Sequence, residues 1–186
     1  MVAWTQLLVP IALSAVFVFV ASSIIHMVIR WHNADYRKLP NEDEVCAALR
    51  KSSPPPGQYI FPHMLDPKEC KDPANQRKLV DGPVGLLYIR PNGMMKLGPF
   101  LGSWFVYTLI LGGLCAYLAT FTLAKSATYL EVFRVVGTAA WLAYAWQSPS
   151  DSIWKGKPWI ITARALFDGL VYACVTAGTF AWLWPR

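Results

Sequence analysis

Paired cysteines, clustered histidines and charges within the long apolar stretches are scarce or missing from this sequence, and each absence removes a class of function. The four cysteines, Cys46, Cys70, Cys115 and Cys174, show no C-x-x-C spacing, so neither a zinc ribbon nor a thioredoxin-type redox motif is present. They read as small apolar fillers or free thiols. There are only three histidines. His26 is the only one inside an apolar run and reads as an interfacial residue rather than a haem or metal ligand. His63 and Cys70 lack the further ligand pair that a metal site needs. No P-loop, Rossmann fingerprint or nucleophile elbow occurs, and no nucleophile has a nearby base that can be named. The sequence therefore predicts no catalytic residue, no cofactor and no metal.

What is present is apolar. Of the 186 residues, 55% are hydrophobic and 15% charged, with nine tryptophans, which lies outside the soluble globular range and marks an integral membrane protein. The formal charge of +6 suits cytoplasmic loops beside anionic lipid, and no nucleic-acid module accompanies it. Crossing a hydrocarbon core of about 30 Å takes about 20 helical residues. Four runs meet that need, at 4–29, 99–124, 128–147 and 159–184. The expected fold class is an all-α membrane bundle of four transmembrane helices, with a small α/β cytoplasmic cap inserted between helices 1 and 2. The first run reads as a retained anchor, because no basic residue precedes it and no A-x-A site follows it.

The polar region 30–98 holds eleven Lys or Arg and eight Asp or Glu. Asn41 with Glu44 predicts a capped amphipathic helix from Glu42 to Lys51, stopped by Pro54-Pro55-Pro56. Gln58–Phe61 and the β-rich Val84–Arg90 predict strands, the second able to turn at Pro91-Asn92-Gly93 into a hairpin with Met94–Leu97. Asp66-Pro67 and Asp72-Pro73 each predict a short helix start, and Gly82 a helix end. Such a cap is too small to bury a good core alone.

Two stripes run along the last span at helical spacing. Gly169, Ala173, Ala177 and Ala181 form a small-residue packing face. Arg164, Asp168, Tyr172, Thr176 and Thr179 form a polar one, which must face protein or water because a lipid-facing charge costs about 2.5–3.5 kcal/mol or more. Arg164 and Asp168, one turn apart, read either as a structural ion pair or as a proton or ion site at Asp168 with a polar path beyond it. Glu131 and Arg134 form a second charged pair near the start of the third span. Basic residues near membrane entries gather on the side of the 30–98 region and the 148–158 loop. The positive-inside rule therefore puts both termini in the periplasm and the 30–98 region in the cytoplasm.

The strings AALRKSSPPPGQYIFP, GPVGLLYIRPNG and FDGLVYACVTAGTFAWLWPR resemble a bacterial family of small four-helix integral membrane proteins to which no activity is attached. The resemblance implies the four-span architecture and a bacterial inner membrane, and it carries no site residues. Two functional classes follow from the residues themselves. One is a structural or accessory subunit packing in the lipid bilayer with a second copy or another membrane protein; the other is a small oligomeric transporter or channel with an ion site at Asp168. An intramembrane enzyme is a distant third.

Overall fold

The computed structural model describes residues 2–185; Arg186, which enters the charge balance above, lies outside them. In chain order the elements are α1 (Leu8–Ser23), α2 (Glu42–Ser52), β1 (Gly57–Phe61), α3 (Pro73–Asp81), β2 (Gly85–Ile89), α4 (Leu97–Thr122), α5 (Tyr129–Ala145), α6 (Gln147–Lys155) and α7 (Trp159–Trp182). The chain divides into two compact units, Met1–Tyr36 with Lys96–Arg186, and Arg37–Met95.

The first unit is a helical bundle. A 3-10 turn, Trp4–Leu7, leads into α1, and a π-helical turn, Ile24–Ile29, leads out of it. Among the described residues, three helices are long and apolar enough to cross a membrane: Trp4–Ile29, Leu97–Thr122 and Trp159–Trp182. The expected span at 128–147 is shorter. Its helix, α5, has 17 residues, or about 26 Å at 1.5 Å per residue, because the chain turns at Trp146 and restarts as α6.

Helix α1 packs on α4 and α7, and α5 packs on the same two, which closes a four-sided ring. Small residues set the approach of the helices. A Cβ at Gly112 of α4 would lie 3.5 Å from Ile11 Cγ2 and Ser14 Oγ of α1. A Cβ at Gly169 of α7 would lie 2.4 Å from Ala145 Cβ of α5, where no side chain fits. Leu7, Ile11, Leu111, Ala116, Val132, Val136, Ala140, Ala177 and Phe180 fill the middle. Val9, Val20, Ile110, Leu114, Phe121 and Leu142 face outward, so the outer surface of the bundle is apolar.

Local hydrogen bonds fix the helix ends. Thr128 Oγ1 accepts from the Glu131 amide at 3.4 Å, and Glu131 Oε2 accepts from the Thr128 amide at 2.7 Å, a capping box that opens α5. Ser148 and Ser152 of α6 meet the buried Thr162 of α7, with Ser152 Oγ and Thr162 Oγ1 2.6 Å apart. Indole donors tie segments together: Trp141 Nε1 donates to the Leu166 carbonyl and Trp184 Nε1 to the Ala124 carbonyl.

The second unit carries α2, α3 and an antiparallel β1–β2 pair in which Gly57 faces Ile89 and Phe61 faces Gly85. The hairpin expected after Gly93 does not form, because β2 takes β1 as its partner and Leu97 already belongs to α4. Asp72 caps α3 by accepting from the Ala74 amide, while Asp66-Pro67 leads only to a 3-10 turn, Glu69–Lys71. Asn41 does not cap α2 with its side chain; its backbone is left-handed at φ 53°, and its carbonyl alone receives the first helical amides. No residue of this unit is buried, as expected of so small a domain.

Candidate functional site

The site begins where α1 loses its regular winding. The π-helical turn Ile24–Ile29 ends at Arg30, a non-glycine residue in the left-handed region at φ 55°. That conformation is uncommon outside glycine. It is held here by the Arg30 amide donating to the Ile25 carbonyl and Arg30 Nε donating to the Met27 carbonyl. The chain thereby reverses, and the 3-10 turn Trp31–Asp35 packs against α7.

This reversal brings three side chains of the first segment onto the polar stripe of α7. His32 sits between two carboxylates, with Nδ1 2.7 Å from Asp35 Oδ2 and Nε2 2.6 Å from Asp168 Oδ2. Both ring nitrogens are thereby engaged, one on each carboxyl group, which fixes the plane and direction of the ring. Arg164 Nη1 donates to the other oxygen of Asp35. The guanidinium and the imidazole each face a carboxyl group, the kind of pairing that burying acidic side chains requires. Burial pushes the Asp35 carboxyl up, but the hydrogen bonds from His32 and Arg164 outweigh it and hold that carboxyl below its ordinary value.

His26 completes the cluster from the π-helical turn. Its ring stacks on that of His32 with centroids 4.6 Å apart. Its Nε2 lies 3.3 Å from Tyr172 Oη and 3.9 Å from Asp168 Oδ2. Asp168 is 5% exposed, yet its second oxygen, Oδ1, has no hydrogen-bond partner among the described residues. One donor atom each from His26, His32 and Asp168 lie within 4.8 Å of one another.

These groups line one side of a cavity of about 560 Å³ whose other walls include Leu97, Phe100, Leu101, Trp104 and Tyr144. Aromatic rings form its edge toward the bundle interior: Trp104 and Tyr172 are 5.9 Å apart, Tyr144 and Tyr172 5.5 Å. Trp104 is anchored through Nε1 to Ser22 Oγ at 2.9 Å. The volume and the mostly apolar lining with a few convergent polar groups are those of a small-ligand site.

The polar stripe divides in the folded chain. Arg164 and Asp168 do not pair with each other; the turn after α1 supplies each with a partner of its own, Asp35 and His32. Tyr172 joins the cluster through His26. Thr176 and Thr179 lie deeper, and their hydroxyls donate back to the Tyr172 and Val175 carbonyls of their own helix. Glu131 is engaged in the capping box instead of an ion pair with Arg134. Gly169, Ala173, Ala177 and Ala181 are all buried, with Gly169 on Ala145 and Ala177 on Gly137. Sequence reasoning did not single out His32 or Asp35 and took His26 as interfacial. The available signal was His26, His32 and Asp35 within ten residues at the end of an apolar run, read too strictly because only His26 lies inside it. Comparison with protein families, curated proteins and solved structures finds no match.

Proposed function

We propose that this is a four-span integral membrane protein that acts through a proton- or ion-binding site at Asp168, as a small transporter or channel. The Asp168 carboxylate carries the reading. It is buried, bound to His32 on one oxygen, without a partner on the other among the described residues, and beside a cavity. An unsatisfied buried acceptor costs about 1–3 kcal/mol, and an ionisable group within a membrane-spanning segment is by default a candidate functional site. Helix α5 serves as the fourth span: its 17 residues meet the lower limit of about 17 for a spanning helix, and it packs along both α4 and α7. The basic excess on one side of these spans supports a site at the cytoplasmic end of the bundle with both termini in the periplasm of a bacterial inner membrane, the setting that the resemblance of the sequence implies.

An accessory role draws its sequence support from the absence of a catalytic set and from small-residue packing faces, chief among them the stripe of α7. That stripe is consumed inside the chain, against α5, and offers a partner no surface. The test is flux. Purified protein in liposomes loaded with a pH-sensitive dye, with a potassium diffusion potential imposed, should acidify the lumen faster than empty vesicles. Asp168→Asn, eluting and melting like the wild type, should fall to the empty-vesicle rate. Equal flux in the two proteins, or none in either under proton and alkali-cation gradients, would sink the reading.

A further inference from the structure

We propose that His26 Nε2, His32 Nε2 and Asp168 bind a divalent first-row transition metal ion, with Asp35 orienting His32 from behind and the open coordination positions facing the cavity. The inference deepens the cation-site reading of Asp168 and rests on it. Two imidazoles and one carboxylate form a nitrogen–oxygen donor set of intermediate softness, suited to zinc, iron(II), cobalt or manganese and poorly suited to calcium or copper(I). Three protein ligands leave coordination positions vacant, as sites that take an exchangeable ligand do.

The distances are close to those required. Metal–ligand bonds of about 2.0–2.2 Å put adjacent ligand atoms about 3.0–3.6 Å apart. His32 Nε2 and Asp168 Oδ2 stand at 2.6 Å and must part, whereas His26 Nε2 and Asp168 Oδ2 stand at 3.9 Å and must close. Each change is under an ångström. The ion takes the place of the proton shared by His32 Nε2 and Asp168 Oδ2, and the two stacked rings tilt to aim their nitrogens at one point. His26 is free to do so, since its side chain is 49% exposed.

Independent observations point the same way. Asp168 Oδ1 is buried without a hydrogen-bond partner among the described residues, which leaves an acceptor for a metal or its bound water. His32 Nδ1 is held by Asp35 Oδ2 at 2.7 Å, and Asp35 is in turn fixed by Arg164. A ligating histidine is ordinarily oriented by a carboxylate on its other nitrogen, which sets the tautomer and aims the ring. His26 lies in a π-helical turn and His32 follows a left-handed arginine, and irregular backbone of these kinds gathers at functional sites.

Metal binding by the full-length protein tests this directly. Chelator-stripped protein in detergent is titrated with Co²⁺, read by visible absorption, and with Zn²⁺ in competition. The expected result is one ion per chain, with an absorption band typical of nitrogen–oxygen ligation. His26→Ala should weaken binding by about 100-fold while elution and melting stay normal, because the Asp35–His32–Asp168 chain survives without it. Asp35→Asn should weaken binding by about 10–100-fold with the stoichiometry kept, as removing an orienting carboxylate does. His63→Ala should bind like the wild type. Absence of a stoichiometric ion, or undiminished binding in folded His26→Ala, overturns the proposal. Asp168-dependent proton flux in protein that binds no metal would overturn the metal site alone; a stoichiometric ion at these residues without any flux would overturn the transport reading alone.

Discussion

Glu131 shows how much of a charged residue's role is decided within one helical turn. Three residues before Arg134, it reads from the sequence as that residue's ion-pair partner, yet its carboxylate receives the Thr128 amide at 2.7 Å and the Thr128 hydroxyl at 2.9 Å. The free amides at a helix start attract a carboxylate more reliably than an exposed arginine does. Thr128→Ala should therefore cost about 1 kcal/mol, read as a lower melting temperature in detergent, and Thr128→Ser should restore it. An unchanged melting temperature in Thr128→Ala would show that the cap contributes nothing. His32 makes the opposite case: both its partners are distant or across a turn, Asp168 being 136 residues away, and no local rule names them.

Among the elements, α7 is shaped by what it must approach. Its small-residue face meets α5 so closely that a methyl group at Gly169 would overlap Ala145 Cβ at 2.4 Å. Gly169→Ala should destabilise the bundle by about 1–3 kcal/mol, although alanine favours a helix over glycine by about 1 kcal/mol. Gly178 lies on the same helix, where an added Cβ would meet only Tyr129 Oη at 3.6 Å, so Gly178→Ala should be neutral or stabilising. Pairing Gly169→Ala with Ala145→Gly should recover most of the loss. Thermal melting of the four proteins checks all of this, and similar melting of Gly169→Ala and Gly178→Ala would contradict the close α5–α7 contact. The reversal after α1 is the complementary case. It is built on a π-helical turn and one left-handed residue, for which the sequence offers no glycine.

On the scale of the whole molecule, the two units differ in what holds them: the bundle has a buried middle, whereas no residue of the Arg37–Met95 unit is buried. The proposed topology puts this second unit in the cytoplasm. A cysteine placed by Ser52→Cys, on a background with Cys46 and Cys70 changed to serine, should resist a membrane-impermeant thiol reagent in intact cells and react after lysis; labelling before lysis would invert the topology. Much of the architecture was legible in the residues. Apolar runs of spanning length, the segments rich in β-formers and the Asp72-Pro73 helix start depend on composition and on neighbours a few residues apart, and sequence displays both. The length of α5 was read less well, because apolar composition does not show where Trp146 turns the chain. By itself, the sequence determined a mostly helical protein with helices long and apolar enough to cross a membrane, a small, coreless polar insert and a polar stripe on its last helix. Only the tertiary structure decided that Arg164 and Asp168 take separate partners and that His26, His32 and Asp35 join them. Those contacts depend on a backbone reversal built on a π-helical turn and one left-handed arginine, and pairings across more than a hundred residues leave no periodicity to read.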